Sequence, residues 1–257
     1  MVTKKFLAND WLPRYTGTML DEFGDYILLT NFDNYVEKFA DLHQCSIKGE
    51  DRPMQTATND QGITIINFGI GSPNAATIID LLTAISPKGI LFLGKCGGLK
   101  RSTDLGHFIL PSAAVRGEGT GNDYMPPELP ALPAFELQKF ASEQIAEQGQ
   151  DYRTGVVYTA NRRVWEWDEK FKDYLKELGV IGIDMETATL FIVSFANRIP
   201  CAAVLLVSDL PMVPEGIKTE KSDQKITKKY VDLHLKIGIE ALYSVKAQGG
   251  QVKHFRY

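Results

Sequence analysis

Two carboxylates late in the sequence, Glu186 and Asp209, are spaced so that they could meet. They lie in the stretch from Gly182 to Pro211, which reads Gly-Ile-Asp-Met-Glu-Thr-Ala-Thr-Leu, an apolar run, then Cys-Ala-Ala-Val-Leu-Leu-Val-Ser-Asp-Leu-Pro. Asp184 suits the N-cap of a helix whose apolar positions Met185, Ala188, Ile192 and Phe195 recur at helical spacing, which puts Glu186 in the first turn. Cys201 to Val207 is short and continuously apolar, as in a strand buried on both faces of a parallel sheet. Asp209 then falls just beyond the carboxyl end of that strand, the edge where open α/β sheets bind ligands. The two acids could therefore face one crevice from neighbouring elements. On the residues alone, Glu186 could equally do no more than favour the helix dipole, and Asp209 no more than begin a turn before Pro211.

Three further stretches carry chemistry. Ile63 to Phe68 reads as a strand, followed by Gly69-Ile70-Gly71-Ser72-Pro73-Asn74 and a helix through Ile85. Ser72 fits the N-cap and Pro73 the first helical position, so the backbone N–H groups of this turn, Gly71 included, can hold an anion. It is not a dinucleotide fingerprint, because Asn74 stands where a third glycine is needed. Gly89 to Leu93 is another buried strand, followed by Gly94-Lys95-Cys96-Gly97-Gly98-Leu99, whose glycines let backbone approach a ligand while Lys95 supplies a charge. No Ser or Thr follows that lysine as a Walker motif requires; a tight turn with one solvated lysine is the plainer reading. Asn161-Arg162-Arg163-Val164-Trp165-Glu166-Trp167 sets two arginines beside two tryptophans, suited to a flat base and an anionic group, although surface packing also explains such clusters. The long polar excursion from Ala114 to Pro130 holds Arg116 and Tyr124, and loops of that length tend to be functional or mobile.

The bulk properties narrow the class. The 257 residues are 44% hydrophobic and 23% charged, enough apolar material for a sizeable core. A net charge of −4 argues against a nucleic-acid surface. Met1 to Asp10 has lysines without an apolar core behind them, so neither a signal peptide nor a membrane span is expected. Three scattered cysteines, Cys45, Cys96 and Cys201, suit a reduced, cytoplasmic compartment. His43, His107, His234 and His254 show no ligand spacing, so no metal is expected.

The elements that must position these groups alternate. Residues 1–24 read as an extended arm of the kind that packs on a partner subunit. Asp25 to Thr30 is the first strand, and Asn31-Phe32-Asp33 leads into a helix with Tyr35, Val36, Phe39 and Leu42 on one side. A strand at His107 to Pro111, a helix from Pro133 to Gly149, a strand at Gly155 to Thr159, a helix over Lys170 to Leu178 and a strand at Val180 to Ile183 follow. After a loop from Met212 to Glu220, a long amphipathic helix runs from Ser222 to Ala247, with Ile226, Tyr230, Leu233, Ile237 and Ala241 along one stripe. The basic tail Lys253 to Tyr257 is expected to fray. This pattern implies one α/β domain over residues 25–257 with a mostly parallel, twisted central sheet flanked by helices.

The same stretches resemble the nucleoside phosphorylase and nucleosidase superfamily, which carries a Met-Glu pair at a helix start and a Ser-Asp pair after the next strand, here Met185-Glu186 and Ser208-Asp209. Within it the chain resembles the catalytic domain of the AMP nucleosidases, in Gly69 to Ala75, Gly94 to Leu99, Arg153-Thr154-Gly155, Arg163 with Trp165-Glu166, Ile183 to Glu186, Val207 to Asp209 and His234 to Ile239. The resemblance implies hydrolysis of the N-glycosidic bond of AMP to adenine and ribose 5-phosphate without a cofactor. Asp209 would then give or share a proton with purine N7, from a carboxyl kept protonated by an apolar surround. Glu186 would stay ionised, bind the ribose hydroxyls and favour the sugar cation. Met185 would lie against the sugar, with Ser208, Gly71, Cys96, Gly97 and Trp165 around the nucleoside. Lys95, Arg116 and Arg163 are the candidates for the 5′-phosphate, and Asp33 for activating water. A purine nucleoside phosphorylase is the alternative, opposed by Asn31-Phe32-Asp33 where phosphorylases place Gly-Asp-Pro and by Phe92 where many place an arginine. A non-catalytic nucleotide-binding regulatory protein is the third reading. The superfamily commonly assembles as dimers built into hexamers, so a homo-oligomer is expected, without the N-terminal regulatory domain of the longer members.

Overall fold

In the computed structural model, which describes residues 2–249, strand β1 (Tyr26–Thr30) is buried along its whole length between two parallel neighbours, β4 (Ile63–Asn67) and β5 (Gly89–Gly98). Outward from β4, the strands β3 (Gln55–Thr58) and β2 (Ile47–Lys48) form an antiparallel edge. In the other direction the sheet closes on itself. β5 pairs with β8 (Gly182–Asp184), β8 with β7 (Tyr152–Ala160), β7 with β6 (Phe108–Gly117), β6 with β9 (Cys201–Asp209), and β9 returns to β5. Five of these nine pairings are parallel, so the mostly parallel sheet read from the sequence is present. Its second half is a five-stranded ring, which abolishes the open edges there and gathers the ends of β5, β8 and β9 at one mouth.

Helices cover both faces. The apolar stripes of α2 (Asp33–His43), α4 (Phe135–Glu147) and α7 (Glu220–Ala247) share one core cluster with alternate residues of β1, β5 and β9. The opposite cluster takes Leu12 of α1 (Lys4–Thr16) together with α3 (Ser72–Leu82) and α6 (Thr187–Ala196). Helix α6 is buried from Thr187 through Ser194, as an all-round apolar helix must be. Helix α5 (Glu169–Glu177) closes a third, smaller cluster around Tyr158 and Trp165. His234 pins α7 to both neighbours: its Nε2–H donates to the Val204 carbonyl on β9 at 3.0 Å, and Nδ1 accepts from the Tyr35 hydroxyl of α2 at 2.8 Å. A carbonyl can only accept, which fixes that tautomer. Among the described residues no helix is long and apolar enough to cross a membrane.

Four local expectations change. The N-terminal arm is not extended, because Thr3 caps a thirteen-residue helix that ends at Gly17, φ +68°. It buries Ala8 and Leu12, and Lys4 Nζ reaches Asp80 Oδ1 of α3 at 2.6 Å. The Gly94 to Gly98 segment is the second half of β5 rather than a loop, held by β9 and β8 on its two sides. Helix α3 is capped by Gly71, φ +95°, so Ser72 is its first residue. Helix α6 begins at Thr187, with Glu186 at the cap position and Asp184 ending β8. The tail Lys253 to Tyr257 lies outside the described residues.

Candidate active site

Asp209 owes its position to an irregularity in strand pairing. Cys96 of β5 faces Val207, but the next residue, Gly97, faces Asp209, so Ser208 is one residue too many on β9. Such a bulge re-aims the side chains beside it. Ser208, 1% exposed, donates to Asp209 Oδ1 at 2.6 Å, and Lys218 Nζ in turn donates to Ser208 Oγ at 3.3 Å. Asp209 is 8% exposed.

Glu186, just beyond β8 on the other side of β5 from β9, lines the same pocket. Its Oε1 accepts from the Gly71 N–H at 2.8 Å and its Oε2 from the Met185 N–H at 3.2 Å. Burial, then the charge of Asp184, push its carboxyl well above the usual carboxylate range; the backbone N–H groups and Asn31 pull the other way. Asp184 is itself buried and raised, although Thr159 Oγ1 and the N–H and hydroxyl of Thr187 all donate to it. The Asp184 carboxylate thus satisfies the first N–H of α6 and leaves Glu186 free to turn into the pocket. Ser72 Oγ, donating to the Met185 carbonyl at 2.7 Å, ties this turn to α3.

The remaining expected residues divide. Met185, Ser208, Lys95, Cys96, Gly97, Arg163 and Trp165 line the pocket with Glu186 and Asp209. Gly71 does not; its N–H serves Glu186 instead of a ligand. Arg116 is a correction: its guanidinium donates to the Pro126, Leu129 and Met125 carbonyls and to Asn122 Oδ1, so it organises the 116–130 excursion away from the pocket. Asp33 is exposed at the start of α2 and accepts from Asn67, outside the pocket lining. Trp165 is 4% exposed and packs edge-on against Phe171, with ring centroids 5.4 Å apart. Trp167 is 71% exposed and outside the lining. Burial pushes the Cys96 thiol far above its ordinary value, which makes it a wall rather than a nucleophile.

The cations that line the pocket differ in their freedom. Lys95 is held by Asp223 Oδ1 at 3.0 Å and Thr227 Oγ1 at 2.7 Å and lies 4.4 Å over the Phe32 ring, with its side chain only 4% exposed. Arg163 pairs with Glu166 at 2.8 Å and keeps 54% of its side chain exposed, beside Arg162, which pairs with Asp168. Arg162, of the arginine and tryptophan cluster read from the sequence, also lines the pocket, as do Lys218, Glu166 and Asn31, to which the sequence assigns no role there. The one signal for Lys218 was a basic residue in the loop that leaves Asp209; nothing local pointed to its contact with Ser208.

Known proteins are similar to this chain in sequence and, for one of them, in fold. An AMP nucleosidase of Escherichia coli K12 is 29% identical over 94% of the chain, which spans 59% of that protein's length. A guanosine phosphorylase of Halorubrum lacusprofundi is 26% identical over 66% of this chain and 70% of its own. The crystal structure of an AMP nucleosidase from Bacteroides thetaiotaomicron superposes with a TM-score of 0.86 at 50% identity, covering 96% of this chain and 99% of that one. Residues 25–242 match the phosphorylase superfamily, and the chain belongs to that family.

Proposed function

We propose that this protein hydrolyses the N-glycosidic bond of AMP, releasing adenine and ribose 5-phosphate. The observation that carries the reading is one pocket lined by buried Glu186 and Asp209, delivered from the two sides of β5, and by two adjacent arginines. The likeness to two AMP nucleosidases supports the choice of substrate.

Breaking the bond leaves positive charge on the ribosyl centre and an electron pair on the purine. Asp209 donates a proton to purine N7, oriented by the Ser208 hydroxyl. Glu186 accepts hydrogen bonds from the ribose hydroxyls, and its charge stabilises the cation. The ligand-free pocket disfavours an ionised Glu186, whereas a developing cation favours it, so the interaction strengthens as the bond breaks. Arg163, with Arg162 beside it, takes the 5′-phosphate, because a guanidinium retains free N–H donors after one ion pair. Water completes the reaction at C1′: its hydroxyl joins the sugar, and its remaining proton, through solvent, restores the one that Asp209 gave to the purine.

Residues 1–24 are assigned to a packing arm and residues 25–257 to the catalytic domain. Phe6, Leu7 and Trp11 stay 40–64% exposed on α1, which suits a homo-oligomer. A cytoplasmic setting suits the three free cysteines.

The test is to incubate purified protein with AMP in phosphate-free buffer and to follow adenine and ribose 5-phosphate, beside adenosine with and without phosphate. Cleavage of AMP by water alone is expected. Cleavage confined to the nucleoside and dependent on phosphate would replace this reading with a phosphorylase.

A further inference from the structure

The reaction above leaves open why water, rather than inorganic phosphate, reaches C1′. Strand β5 lies between β1 and β9, so Asn31 and Phe32, which follow β1, sit across Lys95 from Asp209. Asp209 protonates the leaving base. A nucleophile displacing that base approaches C1′ from the face away from it, which is the Asn31, Phe32 and Lys95 side.

Lys95 and Lys218 line the pocket, and behind them, outside the lining, an anion holds both. Asp223, in the first turn of α7, places Oδ1 3.0 Å from Lys95 Nζ and 3.2 Å from Lys218 Nζ. Thr227, one turn further along α7, accepts the second bond from Lys95. Burial pushes the Asp223 carboxyl up, but the two ammonium groups outweigh it and keep it below the usual carboxylate range. Lys95, its side chain 4% exposed, and Lys218, at 20%, would make a good phosphate site without this carboxylate. With it, their charge is partly cancelled and two of their donors are already engaged.

We infer that Asp223 is a specificity-determining residue: its carboxylate, fixed behind Lys95 and Lys218, cancels the charge that would draw inorganic phosphate to the nucleophile side of the pocket and so leaves the reaction to water. The inference rests on the proposed AMP hydrolysis. The excluded reaction would join a phosphate oxygen to C1′ and release adenine with the glycosidic electron pair; the proton of hydrogen phosphate balances the purine, and the product is ribose 1,5-bisphosphate.

The experiment reads product partition. Wild-type protein, D223N and the charge-conserving D223E are each given AMP with and without inorganic phosphate, and ribose 5-phosphate and ribose 1,5-bisphosphate are quantified. Removing one unit charge at this range raises the bisphosphate share in D223N by about tenfold or more, whereas D223E keeps the wild-type partition. The neutral variant T227V, which frees one Lys95 bond without changing charge, also keeps it. Structural damage would lower both products together and leave the ratio alone. An unchanged ratio in an active D223N overturns the inference, and so does loss of folding in both D223N and D223S, which would make the carboxylate a structural staple. Wild-type protein that releases no ribose 5-phosphate from AMP would instead overturn the proposed hydrolysis itself.

Discussion

Replacing Glu186 by glutamine keeps the side chain's shape while removing its charge, so it separates catalysis from folding. If the carboxylate lies about 4 Å from the ribosyl centre, an effective dielectric near 20 gives about 4 kcal/mol of attraction to the full cation. That is about a thousandfold in rate, expressed in kcat because the charge develops only as the bond breaks. For stability, two changes oppose each other. Glutamine accepts through one atom only, so either the Gly71 or the Met185 N–H loses its partner, at about 1–3 kcal/mol. Against that, a buried carboxylate beside the Asp184 charge disappears, which relieves the penalty that raises its proton affinity. Net stability should therefore move by no more than about 2 kcal/mol, far less than the barrier. Initial rates at saturating AMP and a urea titration of the same preparation supply both numbers. A turnover within tenfold of wild type, or a lost rate that tracks a lost fold, would refute the electrostatic role.

The pH profile follows from the same carboxylate. Because burial and Asp184 hold its proton more tightly than an ordinary carboxylate, kcat/KM in the free enzyme should rise with pH on an acid limb above the usual carboxylate range. Asp184→Asn, where it folds, should move that limb to lower pH; a limb that does not move assigns it to another group. His234 governs stability instead. Its value falls from 6.5 to about 3 on burial, so below 6.5 the unfolded chain binds a proton that the native chain refuses. Stability is full above 6.5 and declines as pH drops towards 3, by about 2 kcal/mol at pH 5, and His234→Gln should flatten that decline in urea titrations. Arg163→Ala should cut kcat/KM for AMP by about 10–100-fold with little effect on adenosine, the worth of one charged hydrogen-bonding group. Arg116→Ala should leave the AMP-to-adenosine ratio unchanged and lower stability by about 1–3 kcal/mol, since the carbonyls at 125, 126 and 129 lose their donor.

What could be read from the sequence was local in origin. The apolar run from Cys201 to Val207 and the stripe on α7 announce a buried strand and a long helix, because burial on two faces or on one dictates the pattern. The two carboxylates were legible from their places at element ends, and both face the pocket. Lys95 and Cys96 were placed in a loop because three glycines in five residues mimic a turn. Here those glycines sit in a strand where neighbouring side chains leave no room: a Cβ on Gly97 would stand 2.9 Å from Pro211, and one on Gly94 would stand 2.4 Å from the Phe92 ring. Closure of the ring was hidden for a related reason, since the β5–β9 and β6–β9 pairings join segments about a hundred residues apart that carry no mutual signal.

Charges were harder still, because a lysine or arginine looks alike whether it is free or held. Arg116 and Lys95 were equal candidates for a phosphate until their partners were seen. One is spent on carbonyls of its own excursion, and the other on Asp223 and Thr227, which lie 128 and 132 residues further along the chain. Subtraction among the three candidates leaves Arg163, which has one ion pair, to Glu166, and an exposed guanidinium with donors to spare. It also explains why the acid that matters to the nucleophile side had no local mark: Asp223 reads as an ordinary first-turn acid favouring the α7 dipole. Only the fold, by laying the first turn of α7 across the end of β5, gives it two lysines to hold.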